Sequence, residues 1–196
     1  MKIILASGSP RRRELLERMG ITGFQVMSPD VDENIGTFAP QELVSRLSAL
    51  KAGAVVSQVS GEELVIAADT VVAKDGVILG KPGTPERAAE MLSALSGGSH
   101  QVYTGVTVAQ GGRVCTRYER TEVEFRTLTE AEIADYVKTG EPLDKAGAYG
   151  IQGYGALFIE GIRGDYYNVM GLPVCLLGGM LSEFGVDCMH LAAGQA

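Results

Sequence analysis

Short apolar runs, each closed by a glycine or polar break, set the rhythm of the chain. Ile3-Ile4-Leu5, then Ala6-Ser7-Gly8-Ser9, then Pro10 to Met19 read as strand, tight loop and helix. Ser9 is placed as the N-cap and Pro10 at the first helical position, where its missing N–H costs nothing. Phe24 to Ser28 alternates like a strand, and Asp30-Val31-Asp32-Glu33 is a loop. Pro40 opens a helix with Leu43, Val44, Leu47 and Leu50 on one face and Lys51 near its end. Leu64 to Ala68 is a buried strand that ends in Asp69-Thr70. Val71 to Ala73 continues it, and Lys74-Asp75-Gly76 turns it back into Val77-Ile78-Leu79.

The second half follows the same grammar. Thr84 caps a helix whose apolar side is Ala88, Ala89, Met91, Leu92 and Leu95, stopped by Gly97-Gly98. Long strands over 101–109 and 114–127 join at Gly111-Gly112, and Thr121 to Arg126 alternates as a strand with one wet face does. Thr129 with Glu132 is a capping box for a helix to about Lys138, which Gly140 ends. Glu141 to Gly155 is too glycine-rich for a helix and too regular in its polar residues for a linker. Two short strands near 156–160 and 165–170 and a helix from Pro173 to Phe184 complete the pattern. It predicts a three-layer α/β fold around a mixed sheet.

Length and composition narrow this reading. At 196 residues, one domain over 1–186 is expected, with 187–196 as a disordered tail. A net charge of −7 argues against general nucleic-acid or anionic-membrane binding, so positive charge for an anionic ligand must be local. Cys115, Cys175 and Cys188 are odd in number and widely spaced, which excludes a disulfide framework and fits a reducing cytoplasm. The apolar run from Val169 to Leu181 is short and broken by Gly171, Pro173, Gly178 and Gly179, so no membrane span is expected. Lys2 precedes only a few apolar residues before the arginines, so no signal peptide is expected either.

Candidate chemistry is defined first by what is missing: no P-loop, no GxGxxG between strand and helix, no nucleophile elbow. Against that background Arg11-Arg12-Arg13 in a first helical turn stand out. Cations there oppose the helix dipole by up to about 1 kcal/mol each, a cost that an arriving anion would remove; a solvated basic turn is the plain alternative. Asp69 follows a wholly apolar run, at the strand end where ligands of open α/β sheets collect, or it is a turn aspartate. Asp32 and Glu33 could join it as oxygen ligands for Mg²⁺ or Mn²⁺, or be a solvated pair. Lys51, Lys81 and Lys145 have equally ordinary readings as a helix-end cation, a turn lysine and a salt-bridged loop lysine.

Taken together and in order, these stretches resemble the Maf family. Ser7-Gly8-Ser9-Pro10-Arg11-Arg12, Asp32-Glu33, Lys51-Ala52, Ala67-Ala68-Asp69-Thr70, Gly80-Lys81-Pro82 and Tyr103-Thr104-Gly105 match its motifs. So do Asp144-Lys145-Ala146-Gly147-Ala148-Tyr149-Gly150-Ile151-Gln152-Gly153 and Asn168-Val169-Met170-Gly171-Leu172-Pro173. The resemblance runs from Ile3 to about Phe184. It implies an elongated mixed α/β fold similar to the inosine triphosphate pyrophosphatases, with two lobes and a deep central cleft. It also implies a cytoplasmic, often homodimeric enzyme that splits nucleoside triphosphates between the α- and β-phosphates with a divalent cation such as Mg²⁺, Mn²⁺ or Co²⁺.

Residue roles follow from the same resemblance. Arg11, Thr70 and Gln152 match the members resembling dTTP/UTP pyrophosphatases rather than those acting on 7-methyl-GTP. Ser7, Ser9 and Arg12 would hold phosphate, and Lys51 and Lys81 would neutralise the departing pyrophosphate. Glu33 and Asp69 would bind the metal, with Asp69 as proton acceptor, while Arg13 has no assigned part. Gln152 offers a donor and an acceptor to the carbonyl–imide edge of uracil or thymine. Modified nucleotides as substrates, or nucleotide binding that regulates septum formation, are the competing readings.

Overall fold

A computed structural model describes residues 2–194. Among them, seven strands form one sheet in the order β2-β1-β3-β5-β6-β7, with β4 paired to β3. These are β1 (Ile3–Leu5), β2 (Gln25–Val26), β3 (Leu64–Lys74), β4 (Val77–Leu79), β5 (Ser99–Gln110), β6 (Arg113–Phe125) and β7 (Ile159–Arg163). β1 lies parallel to both β2 and β3, with Ile3 opposite Leu64 and Leu5 opposite Ile66, whereas β4 and β7 pair antiparallel with their neighbours. The mixed α/β architecture expected from the pattern is therefore the one found.

The chain forms two compact units. Unit 1 comprises 1–69, 104–119 and 171–196; unit 2 comprises 70–103 and 120–170. In unit 1, α1 (Pro10–Arg18) buries Leu15 and Leu16, and α6 (Val174–Glu183) buries Leu177, Met180 and Leu181. Between them in sequence, α2 (Pro40–Val56) buries Val44, Leu47, Ser48, Ala52 and Val55. Ala52 and Val55 pack with Ile4 of β1, Ala6 just beyond it, and Val65 and Ala67 of β3. The helix continues past Lys51 to Val56, so Lys51 is an interior residue, and Leu50 is exposed rather than part of the buried face. Gly105 sits where α2 meets β5: a Cβ there would overlap the Val44 carbonyl and come within 2.8 Å of Ser45 N.

Unit 2 is built on a second core, in which Val72, Val102, Val123 and Phe125 from the strands meet Leu92 and Leu95 of α3 (Pro85–Leu95) and Ile133 of α4 (Glu130–Lys138). Thr121, Val123 and Phe125 are buried and Glu124 is exposed, as the alternation predicts. The Thr129–Glu132 capping box is formed in both directions. Asp75 and Gly76, both at positive φ, make the β3–β4 turn, where glycine's freedom at the second position matters.

Three stretches differ from expectation. Glu141 to Gly155 holds 3₁₀ turns at Glu141–Asp144 and Ala146–Ala148, and a third, Tyr154–Phe158, replaces the start of a predicted strand. Residues 166–170 are α5 (Tyr166–Met170), not a strand, because Asp165 Oδ1 accepts the Tyr167 N–H at 2.7 Å and opens a helical turn. After Val186 the chain forms α7 (Cys188–Ala193) rather than a frayed end. Asp187 caps α7 by accepting the His190 N–H, and Ala192 packs closely on Gly20. The last two residues, 195 and 196, lie outside the described residues.

The core of unit 2 carries a titratable group. His100 is buried, bonded through Nε2 to the Tyr149 hydroxyl at 2.8 Å and edge-on to Phe125 and Tyr149. Burial, helped by the Lys74 charge, pushes its pKa down from 6.5 to about 4. The unfolded chain then binds the extra proton between these values, so this contribution is complete above pH 6.5 and is lost as pH falls towards 4, by about 3 kcal/mol. Urea unfolding across pH 4.5–6.5 is expected to show that slope, and His100→Gln to flatten it; an equal slope in both proteins would refute the assignment.

Candidate active site

The site is built from the end of β1. Its backbone is tied to β3 by the Ala6 N–H donating to Ile66 O at 2.8 Å, which delivers Ser7-Gly8-Ser9 to the start of α1. Ser9 holds the N-cap position but its side chain caps nothing. Instead its N–H donates to Ser7 Oγ at 3.3 Å, closing the loop on itself. The Ser9 hydroxyl, which caps no helix N–H, and the N-terminal N–H groups of α1 are the kinds of donor that hold an anion.

Arg12 braces this loop. Its Nη1 donates to Ser7 Oγ at 3.1 Å and its Nε to the carbonyl of Gly171 at 2.8 Å. Burial lowers the guanidinium pKa; the charge of Asp69 opposes this, Arg11 pushes further down, and Glu33 opposes again. The two arginines and two carboxylates thus share one electrostatic neighbourhood. Gly171 belongs to a recognised motif without an expected role, and its carbonyl proves to be an anchor for Arg12.

Asp69 is in the middle of β3, not at its end. The parallel pairing with β1 stops at Ile66, so Asp69 lies just beyond the carboxyl end of its neighbour β1, and β3 runs on through Lys74. A buried carboxylate inside a strand needs a partner. Lys51 supplies it: Nζ meets Asp69 Oδ1 at 2.6 Å and Glu33 Oε1 at 2.9 Å. The Lys51 and Asp69 side chains are only 12% and 11% exposed, against 59% for Glu33. Asp32 instead accepts the Asn34 N–H at 2.9 Å, a local turn contact.

Unit 1 therefore brings together Ser7, Ser9, Arg11, Arg12, Glu33, Lys51 and Asp69. Thr70 is half-buried and opens unit 2; Lys81 and Gln152 are exposed residues of unit 2, and Arg13 is exposed in α1. The Lys81 loop is held to the glycine-rich segment by Gly147 N–H donating to Gly80 O at 3.1 Å and Gly83 N–H to Leu143 O at 3.4 Å. Lys145 pairs with Asp144 at 2.8 Å and donates to Glu141 O at 2.7 Å, as a structural loop lysine does.

Among the described residues no cluster of three His, Cys, Asp or Glu side chains could cage a metal. Glu33 and Asp69 still aim oxygens at one point, where the Lys51 ammonium sits. Two carboxylates suit a divalent cation that takes its other oxygens from phosphates and water, as Mg²⁺ does. Among the described residues no helix is long and apolar enough to cross a membrane.

Comparison with known proteins shows what the whole chain is similar to. A dTTP/UTP pyrophosphatase of Bacillus cereus (strain G9842) is 50% identical over 190 residues, covering 96% of this chain and 98% of its own. One from Bacillus anthracis matches with the same identity and coverage. In fold, the chain is similar to a HAM1 protein from Coxiella burnetii, with a TM-score of 0.53, 18% identity, and coverage of 93% of this chain and 99% of that one. The family model described as Maf-like protein matches residues 2–184, and the chain belongs to the Maf family.

Proposed function

We propose that this protein hydrolyses dTTP and UTP to the nucleoside monophosphate and pyrophosphate. The observation that carries this is Lys51, whose ammonium joins two carboxylates beside an arginine-bearing helix start in a chain of strongly negative net charge. That is a local cationic pole backed by acid–base groups, which is what a polyphosphate ester requires. The 50% identity to dTTP/UTP pyrophosphatases over nearly the full chain supports the substrate class.

In this reading Ser9, the α1 N-terminus and Arg11 hold phosphate oxygens, while Arg12 fixes Ser7 and lends its charge. The triphosphate draws the Lys51 ammonium from its carboxylates, and Lys81 adds charge to the departing pyrophosphate. The water oxygen bonds to the α-phosphorus, the bond from that phosphorus to the α–β bridging oxygen breaks, and pyrophosphate leaves with the electron pair. Asp69 takes the proton of the attacking water. A divalent cation held by Glu33 and Asp69 would supply positive charge at the phosphates and acidify the water. Thr70 and Gln152 read the pyrimidine, the amide pairing with its O4 and N3–H.

The test is a nucleotide panel with Mg²⁺, Mn²⁺ or Co²⁺, following pyrophosphate and monophosphate. Release from dTTP and UTP well above that from CTP and the purine nucleotides, abolished by chelator, is expected. Absence of pyrophosphate from every triphosphate would overturn the reading and favour a binding role.

A further inference from the structure

The turn that carries Gln152 is held at both ends by one pair of side chains. Tyr136 of α4 accepts the Gly150 N–H at 3.2 Å and donates its hydroxyl proton to Glu141 Oε1 at 2.8 Å. On the far side of Gln152, Glu141 Oε2 accepts the Tyr154 N–H at 2.9 Å and Oε1 the Gly155 N–H at 3.2 Å. The backbone between these anchors closes on itself through Gly153 N–H to Gly150 O at 3.2 Å, leaving the Gln152 side chain exposed at the tip.

The glycines explain how the segment comes so near. A Cβ at Gly153 would overlap the Glu141 carboxylate, and one at Gly155 would lie 2.8 Å from Gly150 O and 2.9 Å from the Tyr136 hydroxyl. The segment is thus wrapped around Tyr136 and Glu141. The Tyr136 ring is itself fixed, edge-on to Phe158 at 4.9 Å, and burial together with the bond to Glu141 raises its hydroxyl pKa so that it stays protonated and able to donate.

We propose that Tyr136 and Glu141 are positioning residues for base selection, clamping the 150–155 turn so that Gln152 meets the pyrimidine at a fixed distance and angle. This rests on the reading that Gln152 contacts the base. A glutamine amide can present donor and acceptor to more than one base edge by turning over, so discrimination depends on how firmly the backbone beneath it is held. Both carboxylate oxygens of Glu141 are committed as acceptors. Glu141→Gln puts an NH₂ against at least one donor, and Tyr136→Phe removes the hydroxyl that joins the two anchors.

The experiment compares kcat/KM for UTP and CTP in the wild type, Gln152→Ala, Tyr136→Phe, Glu141→Gln and the double variant Gln152→Ala with Tyr136→Phe, with thermal melting of each. Tyr136→Phe keeps the ring packing, so a folded variant is available even if Glu141→Gln proves unstable. The expected result is a fall of about tenfold in the UTP/CTP ratio for each single variant, through KM for UTP, with no further fall in the double variant. A merely structural role would depress both nucleotides alike and leave the ratio unchanged. If Gln152→Ala lowers the ratio while folded Tyr136→Phe and Glu141→Gln keep the wild-type value, or if the losses simply add, the clamp is overturned. If Gln152→Ala itself leaves the ratio unchanged, the reading of Gln152 fails, and the clamp with it.

Discussion

Asp69→Asn is expected to lower pyrophosphate release from UTP by about 10³-fold, the scale set by loss of a positioned proton acceptor. The amide keeps the shape and one acceptor oxygen, so β3 and its pairing with β1 are undisturbed. Lys51 retains Glu33 as an ionic partner, although a more exposed one. The variant should therefore fold, at a cost of about 1–2 kcal/mol, below the 3–5 kcal/mol of a buried pair that loses its only partner. Steady-state turnover beside a thermal melt separates the two effects. Near-wild-type turnover in a folded variant would remove Asp69 from the proton-accepting role.

Gly105→Ala is expected to have the largest effect on stability. The obstacle is the backbone of α2, with the Val44 carbonyl and Ser45 N–H in the way, and neither can swing aside as a side chain could. Either α2 or β5 must move, and both are well packed: Val44 and Val106 are fully buried. Overpacking of side chains costs typically 1–3 kcal/mol; a clash with helix backbone should exceed that, at about 3 kcal/mol or more. Urea unfolding measures it directly, and a loss below 1 kcal/mol would show that the α2–β5 contact yields more easily than its geometry implies.

These two residues illustrate what can be read from a sequence. Local rules carried most elements: the capping box at Thr129, the Asp75-Gly76 turn and the alternation at Thr121–Phe125 depend on near neighbours. Asp69 stands out in the sequence as a candidate for chemistry, but its place is misjudged, because a charge after an apolar run looks like a strand end. The neutralising Lys51 is 18 residues away on another element. Gly105 belonged to a recognisable motif, yet its reason is a helix backbone about 60 positions earlier in the chain, a close approach that glycine permits. Tyr136 and Glu141 left no signal in periodicity, since their work is done on backbone N–H groups of a segment with no regular structure.

The path of the chain through its two units has an evolutionary corollary. The divisions fall at Asp69/Thr70 in β3, Tyr103/Thr104 in β5, Glu119/Arg120 in β6 and Met170/Gly171 after α5. Neither unit is a contiguous piece of gene, and three of the four junctions cut a strand in mid-ladder. Exchanging either unit as a block would therefore need joins at all four junctions, three of them inside a strand. On the proposed function, the 150–155 turn, exposed at its tip and pinned at its base, is where a substitution that alters base preference would disturb the rest of the chain least.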